Sequence, residues 1–444
     1  MKLRIVVPVA FSLFVASHIC AQTTINTAKL DSLFTALETN DRAMCAIAFA
    51  KNGQVLYHRE IGYEREVPKT HTTPETEYRI GSITKVFTAV MIFQLIEEHK
   101  LSLQTKLSIY FPQIPNADSI TIEQLLRHRS GIHNFTADSG YHEWMTEPKT
   151  EDQMLAVMAR GKPNFVPGEK YKYSNSNFVL LGYILERITG HSYAEELEHR
   201  ILHRIGLQHT YYGGKTGSKP HEAAPYDYGD STWDAGPETD MSIPGGAGAM
   251  ESTPSDLIQF IDALFHGKLV SKSSLDSMTD MKNDYGMGIA RSWFHKRSAF
   301  GHNGGIDNFT SDISFFPDDS VEWVILGNGW RTDMNTIAIA ALKIYYDLPY
   351  TIPSYRSLRL RADKLAEYNG KYTSDETDID VKMDGNQLTG QATGQGAFPL
   401  EATDTDRFEF TPADIVMIFR RDSKGAVQSF DLLQSGRTEI FKKE

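Results

Sequence analysis

The chain has 444 residues, 41% hydrophobic and 23% charged, which is the composition of a water-soluble globular protein and, at ~150 residues per domain, of two or three domains. That excludes a disordered tail, a collagen-like fibre and a disulfide-stapled miniprotein. Its 45 Lys and Arg against 57 Asp and Glu leave a formal charge of −12, the wrong sign for a phosphate backbone, so no nucleic-acid partner is expected.

Lys2 and Arg4 precede an apolar stretch, residues 5–16, and then Ser17-His18-Ile19-Cys20-Ala21. A basic start, a short greasy core and a small residue before Gln22 read as a secretory signal peptide over residues 1–21, giving an exported, periplasmic or secreted product. The stretch is too short to span a bilayer, and no later segment approaches ~20 apolar residues, so no transmembrane span is expected. A lipid anchor at Cys20 is disfavoured by the bulky Ile19 before it. Cleavage leaves Cys45 as the one thiol, in an apolar run where a small buried residue is the expected role.

Leu30, Leu33, Phe34 and Leu37 repeat at helical spacing. Residues 44–50 and 54–58 read as strands joined through the hairpin signal Asn52-Gly53. Helical patterning dominates residues 81–207, and Gly- and Pro-rich irregular sequence fills 211–250. A helix restarts at Thr253-Pro254-Ser255-Asp256, with a capping side chain and Pro at its first position. Residues 311–316 and 321–326 then read as antiparallel strands about Pro317-Asp318-Asp319, and a long apolar helix follows over 334–346. The pattern predicts an α/β domain over residues 22–347, an antiparallel sheet flanked by helices plus a mostly helical subdomain. Its sheet joins the two sequence ends.

Residues 348–357, with Pro349 and Pro353, read as a linker. Beyond it, over residues 358–444, Ile379, Val381 and Met383 alternate with charged residues, Asp384-Gly385 turns the chain, and short runs carry Phe408, Phe410, Ile415, Met417 and Phe419. These predict a small all-β domain whose aromatic residues form its core.

Three segments can carry chemistry. Ser82 and Lys85 in Gly81-Ser82-Ile83-Thr84-Lys85 lie three apart, on one face of a helix. The apolar run after them suggests burial, which lowers a lysine pKa and lets the amine take a hydroxyl proton. Tyr173 and Asn175 in Tyr173-Ser174-Asn175 point to one side if the segment is extended; the phenol can relay a proton and the amide can hold a substrate. In Gly301-His302-Asn303-Gly304-Gly305 the glycines allow close approach, and the Gly305 N–H can complete an oxyanion hole with that of Ser82.

Together these segments resemble the serine β-lactamase and penicillin-binding-protein superfamily, in its class C, D-aminopeptidase and esterase-like branch. Leu125-Leu126-Arg127-His128-Arg129-Ser130-Gly131 and Gly245-Gly246-Ala247-Gly248-Ala249-Met250 are similar too. The resemblance covers residues 25–347, and the tail resembles a lipocalin-like β-barrel. It implies Ser82 as nucleophile of an acyl-enzyme, with Lys85 and Tyr173 sharing base and acid work. Which of the two takes the first proton stays open. It further implies Asn175, His302, Asn303, Gly304 and Gly305 as substrate-binding and oxyanion residues. Neither a metal nor an organic cofactor is implied. The implied partner is a small-molecule or short-peptide substrate: an ester, a D-amino-acid peptide or a related amide.

His302 departs from the lysine usual in lactamases and DD-peptidases. At an unperturbed pKa of ~6.5 histidine is mostly neutral at pH 7 and clamps a carboxylate poorly. A DD-peptidase or weak β-lactamase is therefore the alternative, and a non-catalytic binding module a further one that the intact Ser82–Lys85 pair argues against. Lys215-Thr216-Gly217 spells a lactamase triplet but reads as a loop, Ser192 with Glu195 reads as a capping box, and His128 as a helix-end support through the dipole and local hydrogen bonds.

Overall fold

A computed structural model of the protein describes residues 25–444, apart from 230, 231, 357, 375, 414, 435 and 436. The expected signal peptide, residues 1–21, lies outside them. Among the described residues no helix is long and apolar enough to cross a membrane.

The first helix, α1 (Thr27–Thr39), is capped by the Asn26 side chain and buries the four residues of its apolar stripe, Leu30, Leu33, Phe34 and Leu37. Strands β1 (Ala43–Lys51) and β2 (Gln54–Ile61) follow, turning where Asn52 and Gly53 take φ of 52° and 73°. Two positive φ values make the tight turn whose twist matches a hairpin. Helix α2 (Thr84–Glu97) is buried from Thr84 to Leu95, as an all-round apolar sequence requires. Next come α3 (Asn175–Thr189) and α4 (Pro254–Phe265), the latter capped by Thr253 on the Asp256 N–H with Pro254 at its first position. Four strands, β3 (Ala290–Phe294), β4 (Arg297–Ile306), β5 (Phe309–Phe316) and β6 (Val321–Trp330), lead into α5 (Met334–Tyr345).

The sheet is antiparallel in the order β3-β4-β5-β6-β1-β2, so β1 bonds to β6 from Ala43–Trp330 to Lys51–Val321. Alternation along β1 splits its two faces. Cys45, Ile47 and Phe49 pack with α1 and α5; Ala46, Ala48 and Ala50 face α2 and α4. Each fully buried Leu, Ile or Phe contributes about 1.5–3 kcal/mol of transfer free energy, which makes these two layers the main source of stability. Cys45 is fully buried, and burial pushes its thiol well above the ordinary value, so it is an inert core residue.

The helical stretch is less continuous than its pattern suggests. Residues 98–121, apart from one 3-10 turn at Leu107–Ile109, and 161–174 are turns and loops, where Pro112, Pro115, Pro163 and Pro167 remove the N–H groups a helix needs.

Eight further strands, β7 (Gly370–Thr373) to β14 (Arg437–Lys443), form a closed barrel in chain order, sealed where Tyr372 pairs with Lys443. Its interior is filled by Tyr372, Leu388, Phe408, Phe419, Phe430 and Phe441, a separate core. Arg42, just before β1, ties the barrel to the first body. Its guanidinium donates to the Tyr355 carbonyl from Nε at 2.9 Å and to both Glu401 carboxylate oxygens at 2.8 and 3.0 Å.

Candidate active site

Ser82 sits in a single 3-10 turn, Gly81–Ile83, that runs directly into α2. Strand β4 pins that turn. A Cβ on Gly304 would lie 2.0 Å from the Ile80 carbonyl oxygen, and one on Gly81 2.8 Å from the Gly305 nitrogen. Only glycine permits this approach, which brings the Gly305 backbone beside the serine. Ser311 Oγ on β5 donates to the same Ile80 carbonyl at 3.0 Å.

One helical turn on, Lys85 is fully buried, with Nζ 2.8 Å from Ser82 Oγ, 2.8 Å from Asn175 Oδ1 and 2.7 Å from the Ala247 carbonyl. Among the described residues no carboxylate pairs with it, and burial pulls its pKa well below the ordinary lysine value. Two of the three contacts are pure acceptors. A neutral amine keeps two N–H groups and has a lone pair that can take a proton from Ser82 Oγ. Tyr173 Oη donates to Ser82 Oγ at 2.8 Å from the other side. Burial pushes the Tyr173 pKa up, so the phenol keeps its proton. Ser82 Oγ thus receives hydrogen bonds from both Tyr173 Oη and Lys85 Nζ. The serine oxygen is held between the amine and the phenol, each within 2.8 Å.

Asn175 is itself fixed, its N–H donating to Asn134 Oδ1 at 2.9 Å and its Nδ2 to Thr136 Oγ1 at 3.0 Å. Ser82, Asn175 and Gly305 line one cavity of about 340 Å³ together with Phe135, Tyr141 and Met145. Lysine and arginine are absent from its lining among the described residues. Arg79, buried beside Asp307, is engaged by other groups: it bonds Asp307, Glu238 at 2.8 Å and the Gly214 carbonyl at 2.7 Å. Asp307, which does line the cavity, is turned to Arg79 and Thr239.

The third segment divides between the two faces of β4. His302 is buried, yet its Nε2 contacts Tyr285 Oη at 3.1 Å rather than the cavity. Burial pulls its pKa down to about 3, so the ring is neutral. Asn303 points the other way, is exposed on the same face as Gly305 and does not line the cavity; its carbonyl pairs with His302 Nδ1 at 2.6 Å. Strand alternation explains the split. Gly304 acts through its missing Cβ, and Gly305 alone of the four reaches the cavity.

His128 supports a helix start, but not through the dipole. It is fully buried and held neutral by desolvation, with Nδ1 accepting from the Ser174 N–H at the cap of α3. Sequence reasoning missed Ala247 and Tyr285. The first acts through a carbonyl, which leaves no side-chain signature; the second is a lone tyrosine before Gly286 in a loop. Lys215-Thr216-Gly217 lies in a loop with Thr216 bonded to Glu238, and Ser192 with Glu195 forms the expected capping box.

An antiparallel sheet with its serine turn at the head of a buried helix, facing a lysine and a tyrosine, defines the class of active-site serine acyl-transfer proteins. The chain belongs to the β-lactamase family, which matches residues 30–345. It is an enzyme of the serine hydrolase and acyl-transferase kind. It is similar to Penicillin-binding protein 4* of Bacillus subtilis strain 168, 26% identical, over 92% of this chain and 97% of that one. A D-stereospecific amidohydrolase from Streptomyces has the same fold at a TM-score of 0.62 and 27% identity, over 71% of this chain and 98% of its own. An octameric penicillin-binding protein homologue from Pyrococcus abyssi shares the fold at a TM-score of 0.65 and 24% identity, over 94% of this chain and 100% of its own.

Proposed function

We propose that this chain hydrolyses an ester, a D-amino-acid peptide or a related amide through an acyl-enzyme on Ser82. The single observation that carries the reading is the hydrogen-bond inventory at Lys85: two carbonyl-type acceptors and the Ser82 hydroxyl around one buried amine. Lys85 takes the Ser82 proton as Oγ attacks the substrate carbonyl. Tyr173, still protonated, then donates to the leaving group and regains its proton from Lys85, which holds the one taken from Ser82. The backbone N–H groups of Ser82 and Gly305 receive the developing oxyanion. Water releases the acyl group by the same steps in reverse.

The cavity favours an acyl group with an apolar or aromatic side chain against Phe135, Tyr141 and Met145. Among the described residues its lining holds no lysine or arginine and His142 is its one basic side chain, while Arg79 is paired with acidic residues and His302 is neutral. This lowers the standing of a DD-peptidase or strong β-lactamase, which the name of the Bacillus relative favours. The Streptomyces relative supports a D-configured amide. We further propose that residues 1–21 direct export.

A parallel assay separates the readings. A burst of p-nitrophenol from an aryl-acyl p-nitrophenyl ester, with no fluorescent penicillin retained on Ser82, is the expected result. Stoichiometric penicillin labelling without an ester burst would overturn it in favour of the peptidase.

A further inference from the structure

The second and third segments are joined by groups that the acyl-transfer steps do not use. His128 Nε2 lies 3.2 Å from Tyr285 Oη, and the same hydroxyl lies 3.1 Å from His302 Nε2. All three residues are buried. Both ends of this chain are fixed by backbone groups whose roles are unambiguous. At one end the Ser174 N–H, which only donates, points at His128 Nδ1 at 3.2 Å, and Asn177 Nδ2 is 3.1 Å from the same atom. His128 Nδ1 is therefore bare, and its proton sits on Nε2. At the other end the Asn303 carbonyl, which only accepts, lies 2.6 Å from His302 Nδ1. His302 Nδ1 therefore carries the proton and Nε2 is bare. Tyr285 is left one arrangement: its oxygen accepts from His128 and its hydrogen goes to His302. The two ends were fixed independently, and they agree.

We propose that Tyr285 and His128 are positioning residues for acyl transfer, forming a one-way hydrogen-bond chain, His128 Nε2–H to Tyr285 Oη–H to His302 Nε2, that locks the Tyr173 segment to strand β4. The consequence for chemistry is spatial. The His128 ring centroid lies 4.2 Å from that of Tyr173, and its Nδ1 holds the residue after Tyr173. His302 lies two residues from Gly304 and three from Gly305 on the strand that presses on the serine turn. The chain thereby sets the Tyr173 hydroxyl and the Gly305 backbone against Ser82 from two separate parts of the sequence. A cation at either histidine would break it, because the protonated ring would present an N–H to a donor. Desolvation of both rings works in the same direction.

This inference rests on the reading of Ser82 as nucleophile, and its test is separable from that reading. Long-range 1H–15N correlation spectra of the full chain with 15N-labelled histidine report the tautomers directly, the two signals being assigned by their loss in His128→Asn and His302→Asn. The expected result is a proton on Nε2 of His128 and on Nδ1 of His302. The opposite tautomer at either ring overturns the chain, whether or not Ser82 reacts with any probe. Tyr285→Phe keeps the ring and removes the link. It is expected to lower kcat for the ester on the order of ten- to a hundredfold with KM little changed. In the His302→Asn background the same substitution should cost less than about twofold, because its partner is already gone. An equal loss in both backgrounds would show a merely structural role and overturn the proposal. Should Tyr285→Phe not fold, the wild-type tautomers decide.

Discussion

Lys85 Nζ stands 2.8 Å from Ser82 Oγ in a fully buried position, with Asn175 Oδ1 and the Ala247 carbonyl taking its other contacts. Desolvation without an ion pair favours the neutral amine, whose lone pair can take the serine proton. This relationship fixes a pH dependence. Acylation requires unprotonated Lys85, so its rate rises as pH passes upward through the folded-state pKa of this group and stays high above it. Burial places that limb well to the acid side of the ~10.4 of an exposed lysine, and the raised Tyr173 pKa keeps the acid intact on the alkaline side. Single-turnover acylation against pH checks it; a limb near the ordinary lysine value contradicts it.

Lys85→Arg keeps a long nitrogen-tipped side chain but supplies a group that cannot lose its proton in proteins. The expected outcome is a loss on the order of a thousandfold or more in acylation, measured as the amplitude and rate of the p-nitrophenol burst. A loss below tenfold would assign the base elsewhere.

His302 is buried neutral, with its pKa pulled down to about 3. An unfolded histidine binds a proton below ~6.5, so folding stability contributed here is present above that pH and lost as pH falls toward 3. Relative to His302→Asn, the wild type should lose about 1.4 kcal/mol of unfolding free energy per pH unit across that window. Urea titrations of both chains measure the difference; parallel stability curves would contradict the neutral ring.

Gly304 and Gly305 are adjacent but not equivalent. A Cβ at Gly304 meets the Ile80 carbonyl at 2.0 Å, whereas at Gly305 its nearest neighbour is the Phe309 carbonyl at 4.0 Å. Gly304→Ala should push β4 off the serine turn, costing about 1–3 kcal/mol and most of the activity. Gly305→Ala should keep the wild-type melting temperature. Equal effects on melting would contradict the packing argument.

Among the described residues the barrel contributes none to the catalytic cavity, and it has its own core. Ending the chain after residue 356 retains Tyr355, whose carbonyl still receives Arg42. Ser82 acylation should then stay within about twofold of the full chain, as for independent sites. A large loss would show that the barrel shapes the cleft.

The elements with strong local chemistry were legible in the sequence. The α1 stripe, the Asn52-Gly53 turn, the Thr253 cap and the strands about Pro317 depend on near neighbours, and each occupies its expected place. The Ser82–Lys85 spacing and the Tyr173–Asn175 segment were legible for the same reason. What the sequence hid is relational. Asn303 shares an exposed face of β4 with Gly305, yet only Gly305 of the two lines the cavity, a difference the spacing alone does not show. His128 and Tyr285, 157 residues apart, meet only because the second and third segments converge. Ala247 serves through a backbone oxygen, which any residue carries.

The central claim is covalent chemistry at one serine. Incubating the full chain with a fluorophosphonate, digesting it and mapping the modified peptide by mass tests this most directly. The adduct should sit on Ser82, be absent in Ser82→Ala and form far more slowly in Lys85→Arg. An adduct on another residue, or none on a folded chain that still turns over ester, would contradict the account.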